Sequence, residues 1–236
     1  MATLIEKQSY QRKSALIAGI SLIIMTLAAF FSYGFVHGSL VVQGDASATF
    51  HNIKSSNMLF KAEILGWVII LITDIIVAWA FYIFLKPINK NLSLLGAWLR
   101  LTYATILGIA ILNLIFVLLL SKNTALLNID QLQAHMMLFL EAFESIWSIG
   151  LIIFGGHLMI VGYLAFKSDK IPKAISTLLL LASIGYIVIN LCNAFLSQYD
   201  AAISILKIVF TIPMIAGELG FGIWLLIRGG KIPEDV

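Results

Sequence analysis

The sequence predicts an all-α fold, a polytopic membrane helix bundle of six transmembrane helices with both termini cytoplasmic. Three observations predict it. The 236 residues are 61% hydrophobic and 11% charged, whereas a soluble domain carries about 25% charge, and the mean hydropathy is +1.01. Six apolar stretches reach the ~20 residues that hydrocarbon requires. Lys and Arg gather in alternate connections, as the positive-inside rule describes.

Each element follows in order. The N-terminal segment is polar as far as Ser14, and no A-x-A-like cleavage site follows the first apolar run, so that run reads as a retained helix. The spans run over residues 14–36, 58–85, 92–120, 133–166, 171–197 and 203–227. The second and fourth exceed the minimum and are expected to tilt or project. Breakers separate spans at Lys86-Pro87-Ile88-Asn89 and at Lys167 to Pro172. Pro213 falls inside the last span, where it is expected to kink the helix. The segment from His37 to Asn57 is too polar for lipid and reads as an external loop, either a connector or a cap. The length permits one six-span domain, residues 1–236, with no separate soluble domain.

Lys7, Arg12 and Lys13 precede span one; Lys86 and Lys90 follow span two; Lys167, Lys170 and Lys173 follow span four; Arg228 and Lys231 follow span six. The other side carries mainly Lys54 and Lys122. The basic side is expected to be cytoplasmic and the membrane to be the cell inner membrane. A net charge of +3 without a dense basic cluster excludes a nucleic-acid footprint. The single cysteine, Cys192, excludes an intrachain disulfide and cysteine-rich zinc spacing. No cofactor motif is present, and oligomeric state is not legible.

Charge inside the spans points to a site, because an ionised side chain in hydrocarbon is costly unless paired or wetted. Glu63, Asp74 and Trp67 lie on one face of span two, at ~100° per residue. Glu141, Glu144, Ser145 and Ser148 cluster on span four, continued by Gly155 and Gly162, whose small size suits close packing. Ser183, Tyr186, Asn190, Asn193 and Ser197 form a stripe on span five, and Lys207, Thr211, Glu218 and Gly222 one on span six. These stripes are expected to enclose a polar interior or to supply interhelical hydrogen bonds.

A rise of ~1.5 Å per residue sorts them by depth. Glu63, Glu141, Glu144, Asn190, Asn193 and Lys207 fall in an outer layer. Asp74, Arg100 and Glu218 fall in an inner one, where Arg100 is expected to pair with Asp74, Glu218 or both. The pair is either a packing device or a gate or charge anchor. The outer carboxylates crowd one another, with Lys207 as the nearby cation, and suit proton relay or cation binding. His135 on span four and His37 and His51 on the loop are weak candidates for metal, since His135 and Glu141 share no helix face and no zincin spacing occurs. His157 reads as a packing or interfacial histidine. Most of the five tryptophans read as core or interface residues rather than an aromatic cage.

Several short patterns occur in order along nearly the whole chain. They are Gly44-Asp45 with Ala46 and Ala48, Asp74, Leu85-Lys86-Pro87-Ile88-Asn89, Arg100-Leu101, Gly162-Tyr163-Leu164 through Lys167-Ser168 to Ile171-Pro172, and Glu218 with Trp224-Leu225-Leu226. In these the chain resembles the bacterial membrane family catalogued as domain of unknown function 4386. The resemblance implies a six-span bacterial inner-membrane protein without an established activity, and Asp74, Arg100 and Glu218 as the recurrent polar set. Glu141 and Glu144 lie outside the pattern.

Three functions fit the residues. The first is binding or translocation of a small molecule or ion through a polar intramembrane cavity. The second is a membrane-embedded hydrolase of lipid-like substrates, using Glu141 or Glu144 as base and His135 as metal ligand. The third is a structural or partner-binding subunit. Membrane lipid is the expected surrounding in each.

Overall fold

A computed structural model describes residues 2–122, 128–196 and 200–231. Among the described residues the chain is all-α. Helix α1 (Ala2–Ala29) continues unbroken as a π-helical stretch (Phe30–His37) and a last α turn (Gly38–Leu40). Then come α2 (Ala46–Ser55), α3 (Asn57–Leu85), α4 (Lys90–Lys122), α5 (Ile129–Lys167), α6 (Lys173–Phe195) and α7 (Asp200–Ile227). All but α2 are long and apolar enough to cross a membrane, the first over Ser9–Leu40. The protein is therefore a multi-pass membrane helix protein. Ser197, assigned to the span-five stripe, lies outside the described residues.

Turn chemistry explains why the helices stop and start where they do. Pro87 follows the end of α3. Asn89 then opens α4, its Oδ1 accepting from the backbone N–H of Asn91 at 3.1 Å and Leu92 at 3.0 Å. Gly44 turns the chain with φ +77°, a conformation that favours glycine. Asp45 caps α2, accepting from Ala48 N–H at 2.8 Å. Pro172 precedes α6, where its missing N–H is no loss.

The expected external loop from His37 to Asn57 is largely helical, which corrects the sequence reading. Thr49, Phe50 and Ile53 of α2 are buried. Thr49 Oγ1 accepts from Val42 N–H at 2.9 Å, and Asn52 Nδ2 donates to Leu40 O at 3.2 Å, tying α2 to the end of the first span. His37 and Leu40 are also buried, so the first span extends past Val36.

The chain forms two compact units. One comprises Met1–Ile24, Thr73–Ala104 and Ser148–Val236, the other Met25–Ile72 and Thr105–Trp147. In the first unit, glycines let helices approach closely, as association in lipid favours. A Cβ on Gly155 would lie 2.6 Å from Ile187 Cγ1 and 3.0 Å from Ser183 O; one on Gly162 would lie 3.0 Å from Leu180 Cγ. These are the close contacts expected of Gly155 and Gly162. Arg12 closes the end of α7, donating to Leu225 O at 3.1 Å, Leu226 O at 2.7 Å and Gly229 O at 2.7 Å. Those carbonyls belong to a helix terminus with no further turn to bond them. Pro213 lies inside α7.

The second unit packs Phe50, Ile53, Phe60, Trp67, Met136 and Phe143, all fully buried or nearly so. Gly66 meets Ser32 so closely that an added Cβ would fall 1.9 Å from Ser32 Oγ. That approach joins α3 to the π-helical stretch.

Candidate functional site

Among the described residues each unit holds a buried cluster built around a charged pair. In the first unit, Asp74 of α3, Arg100 of α4 and His157 of α5 are all 0% exposed. Arg100 Nη2 lies 2.7 Å from Asp74 Oδ1. Arg100 Nη1 lies 3.0 Å from His157 Nε2, and His157 Nδ1 lies 2.8 Å from Gly96 O. A carbonyl only accepts and a guanidinium only donates, so His157 carries its proton on Nδ1 and accepts at Nε2. The ring is therefore a neutral acceptor for Arg100. The guanidinium carbon sits 5.8 Å from the Phe81 ring centre and 5.2 Å from that of Phe154, within cation–π range. Phe81 also stacks on His157 at 5.9 Å and 9°.

Three further hydrogen bonds belong to this unit. Tyr186 Oη donates to Glu218 Oε1 at 2.7 Å. Ser148 Oγ donates to Asn190 Oδ1 at 2.9 Å, and Asn190 Nδ2 donates to Tyr186 O at 2.8 Å. The Arg100 pairing thus includes Asp74, while Glu218 is engaged by Tyr186. Asn193 is half-buried on α6. Lys207 is exposed on α7, and no ion pair reaches it among the described residues.

The second unit centres on a residue assigned to the loop. His37 is buried at the end of the π-helical stretch. Its Nδ1 lies 2.7 Å from Glu63 Oε1 and its Nε2 3.3 Å from Glu144 Oε1. Glu63 is fully enclosed, while the Glu144 side chain is 36% exposed. Glu63 Oε2 and the neighbouring Trp67 Nε1 are buried without a hydrogen-bond partner among the described residues.

Rings surround the imidazole. Tyr33 stacks on it at 5.4 Å, and Phe143 lies 6.0 Å away. Tyr33 and Trp67 pack edge-on against Trp147 at 5.0 and 4.9 Å. Trp67 and Trp147 therefore belong to an aromatic wall around a charged centre, beyond the core role expected of them. Glu141 is exposed on α5 and outside the cluster, although Glu144 one turn later belongs to it.

The weak metal candidates stay apart. His51 Nδ1 bonds Ser47 O at 2.8 Å and His135 Nδ1 bonds Gln131 O at 2.6 Å, each within its own helix. Among the described residues no three His, Cys, Asp or Glu side chains converge as metal ligands.

The comparisons bear on the same residues. The model of the family described as Domain of unknown function (DUF4386) matches residues 17–229. The chain belongs to this family. The matched DUF4386 region contains both clusters whole. A protein of Archaeoglobus fulgidus described as "Uncharacterized protein" is 35% identical over 174 residues, 74% of this chain and 88% of that protein. A relative of this chain thus occurs in Archaeoglobus fulgidus. No solved structure matches.

Proposed function

We propose that this DUF4386 protein binds a small molecule or ion within its membrane-spanning part and carries it across the bilayer. One observation supports this above the others. Glu144, His37 and Glu63 lead from a half-exposed carboxylate through an imidazole to an enclosed carboxylate with an unused oxygen. Ionisable groups retained at such depth are functional-site candidates by default, because structure alone rarely compensates for their desolvation.

The Arg100 cluster favours a second, narrower role for its own residues. Asp74 and Arg100 balance in charge, and His157 adds a neutral acceptor. Such a set fixes the packing of α3, α4 and α5, as in a structural subunit. Among the described residues no metal-ligand set converges that would support a metal-dependent hydrolase. The bias of Lys and Arg supports both termini in the cytoplasm and a cell inner membrane as the location.

Transient currents on solid-supported membranes test the reading. Purified protein in liposomes is challenged with jumps of H⁺, Na⁺ and K⁺, and the same preparation is searched by mass spectrometry for a co-purifying small molecule. The expectation is a current or a bound molecule absent from lipid-only controls, and its loss in Glu63→Gln. Neither signal in the wild-type protein would contradict the proposal.

A further inference from the structure

We propose that Glu144, His37 and Glu63 form a proton relay, with the imidazole passing a proton between a half-exposed and an enclosed carboxylate. This rests on the ion-handling reading above and names the ion as H⁺.

The geometry carries the argument. His37 offers one ring nitrogen to each carboxylate, Nδ1 to Glu63 Oε1 at 2.7 Å and Nε2 to Glu144 Oε1 at 3.3 Å. Each contact is between two atoms that both accept unless a proton lies between them. The trio therefore needs two protons to make both contacts as hydrogen bonds. Two arrangements satisfy this. One is an imidazolium between two carboxylates. The other is a neutral imidazole between one carboxylate and one carboxylic acid.

The second arrangement has two forms, and their interconversion is the transfer step. In the first form Glu144 is the acid and His37 carries its proton on Nδ1. The Glu144 O–H bond breaks as Nε2 takes that proton. The Nδ1–H bond then breaks as Glu63 Oε1 takes the other. One proton has moved from Glu144 to Glu63, the imidazole has exchanged tautomers, and total charge is unchanged. The imidazolium with two carboxylates is the intermediate. The relay resets when Glu63 gives up its proton to water, Glu144 takes one from water, and the ring returns to its Nδ1–H tautomer.

The surroundings fit conduction better than a static ion pair. Among the described residues the titratable groups facing His37 are Glu63 of α3, Glu144 of α5 and Tyr33 of its own helix; Phe143 lies against its ring, and Trp67 packs in turn on Tyr33 and Phe143. The stacked rings hold the imidazole between its two acceptors. Glu144 is open to exchange at one end. At the other end Glu63 is 0% exposed and its Oε2 meets no donor or acceptor among the described residues. Rotation of the protonated Glu63 carboxyl turns its O–H toward that unpartnered side, where a water molecule is the acceptor the relay requires. The π-helical stretch places His37 here, and such irregularities recur at functional sites.

Time-resolved infrared difference spectroscopy after an acid jump, on protein in lipid nanodiscs, tests the relay. Carboxylic acid C=O bands are assigned with Glu63→Gln and Glu144→Gln. In His37→Gln, Glu144 is expected to protonate at the wild-type rate and Glu63 at least tenfold more slowly. Equal Glu63 rates in wild type and His37→Gln would overturn the relay, as would a Glu63 that never titrates. If His37→Gln does not fold, histidine ¹⁵N spectra of the wild type decide instead. Two exchanging tautomers of His37 support the proposal, and one fixed tautomer at all pH values overturns it. A relay signal without transmembrane current would refute transport while sparing the relay. Current that persists in His37→Gln would do the reverse.

Discussion

Removing the charge of Asp74 should destabilise the protein more than any other single neutral substitution in the first unit. Asp74 and Arg100 are both fully enclosed and 2.7 Å apart. Taking away one partner of such a pair costs about 3–5 kcal/mol, because the remaining charge stays buried. The aromatic rings and His157 hold Arg100 in both wild type and variant, so they do not offset the loss. Asp74→Ala should therefore lose about 3–5 kcal/mol. Asp74→Asn keeps an oxygen that accepts from Nη2, and a hydrogen bond to a charged group contributes about 1.5–3 kcal/mol. Its loss should be about 1.5–2 kcal/mol, a shift of roughly one order of magnitude in the unfolding equilibrium. Removing both partners in Asp74→Ala/Arg100→Leu should recover at least half of the Asp74→Ala loss. Denaturation in mixed SDS micelles, followed by helicity, measures all three. An Asp74→Ala variant within about 1 kcal/mol of wild type would refute the assignment of Arg100 as a desolvated, Asp-dependent cation.

Other consequences are smaller. Gly155→Ala drives a methyl group into Ile187 and the Ser183 carbonyl and should cost about 1–3 kcal/mol. Gly156→Ala, whose Cβ would meet nothing closer than Leu99 Cδ1 at 3.7 Å, should leave the thermal midpoint nearly unchanged. Arg12→Ala removes donors to three carbonyls at the end of α7, and hydrogen exchange should rise in that last turn while α4 stays protected. Asp45→Ala loses the cap of α2 at about 1 kcal/mol, detectable as a lower midpoint in thermal melts. His157→Phe keeps the stacked ring but removes the acceptor facing Arg100 Nη1. A loss of about 1–3 kcal/mol is expected, and a neutral result would show that the nitrogen is unimportant.

Most of the fold was legible because lipid imposes a simple demand, long apolar runs with punctuation between them. Pro87, Asn89, Asp45 and Pro172 mark helix ends by rules that need no tertiary context. The misses came where periodicity changed or another helix decided. Ser32 and His37 are five residues apart, roughly 140° around an α-helix, and would not share a face. In the π-helical stretch both are buried, and no α-periodic reading finds that. The α2 helix hid in a polar segment, although Phe50 and Ile53 three residues apart signalled an apolar face. His157 reads as a packing histidine from its own helix, and its partner Arg100 is on another, which no pattern within one helix reveals. Asp74 and Arg100 were identified because burying either alone is prohibitive.

An experimental density map of the protein in lipid nanodiscs tests the central claim most directly. The expected map places His37 between Glu63 and Glu144, with ordered non-protein density within hydrogen-bonding distance of Glu63 Oε2. A map in which the three side chains separate, or in which acyl chains surround the two carboxylates, would contradict the account.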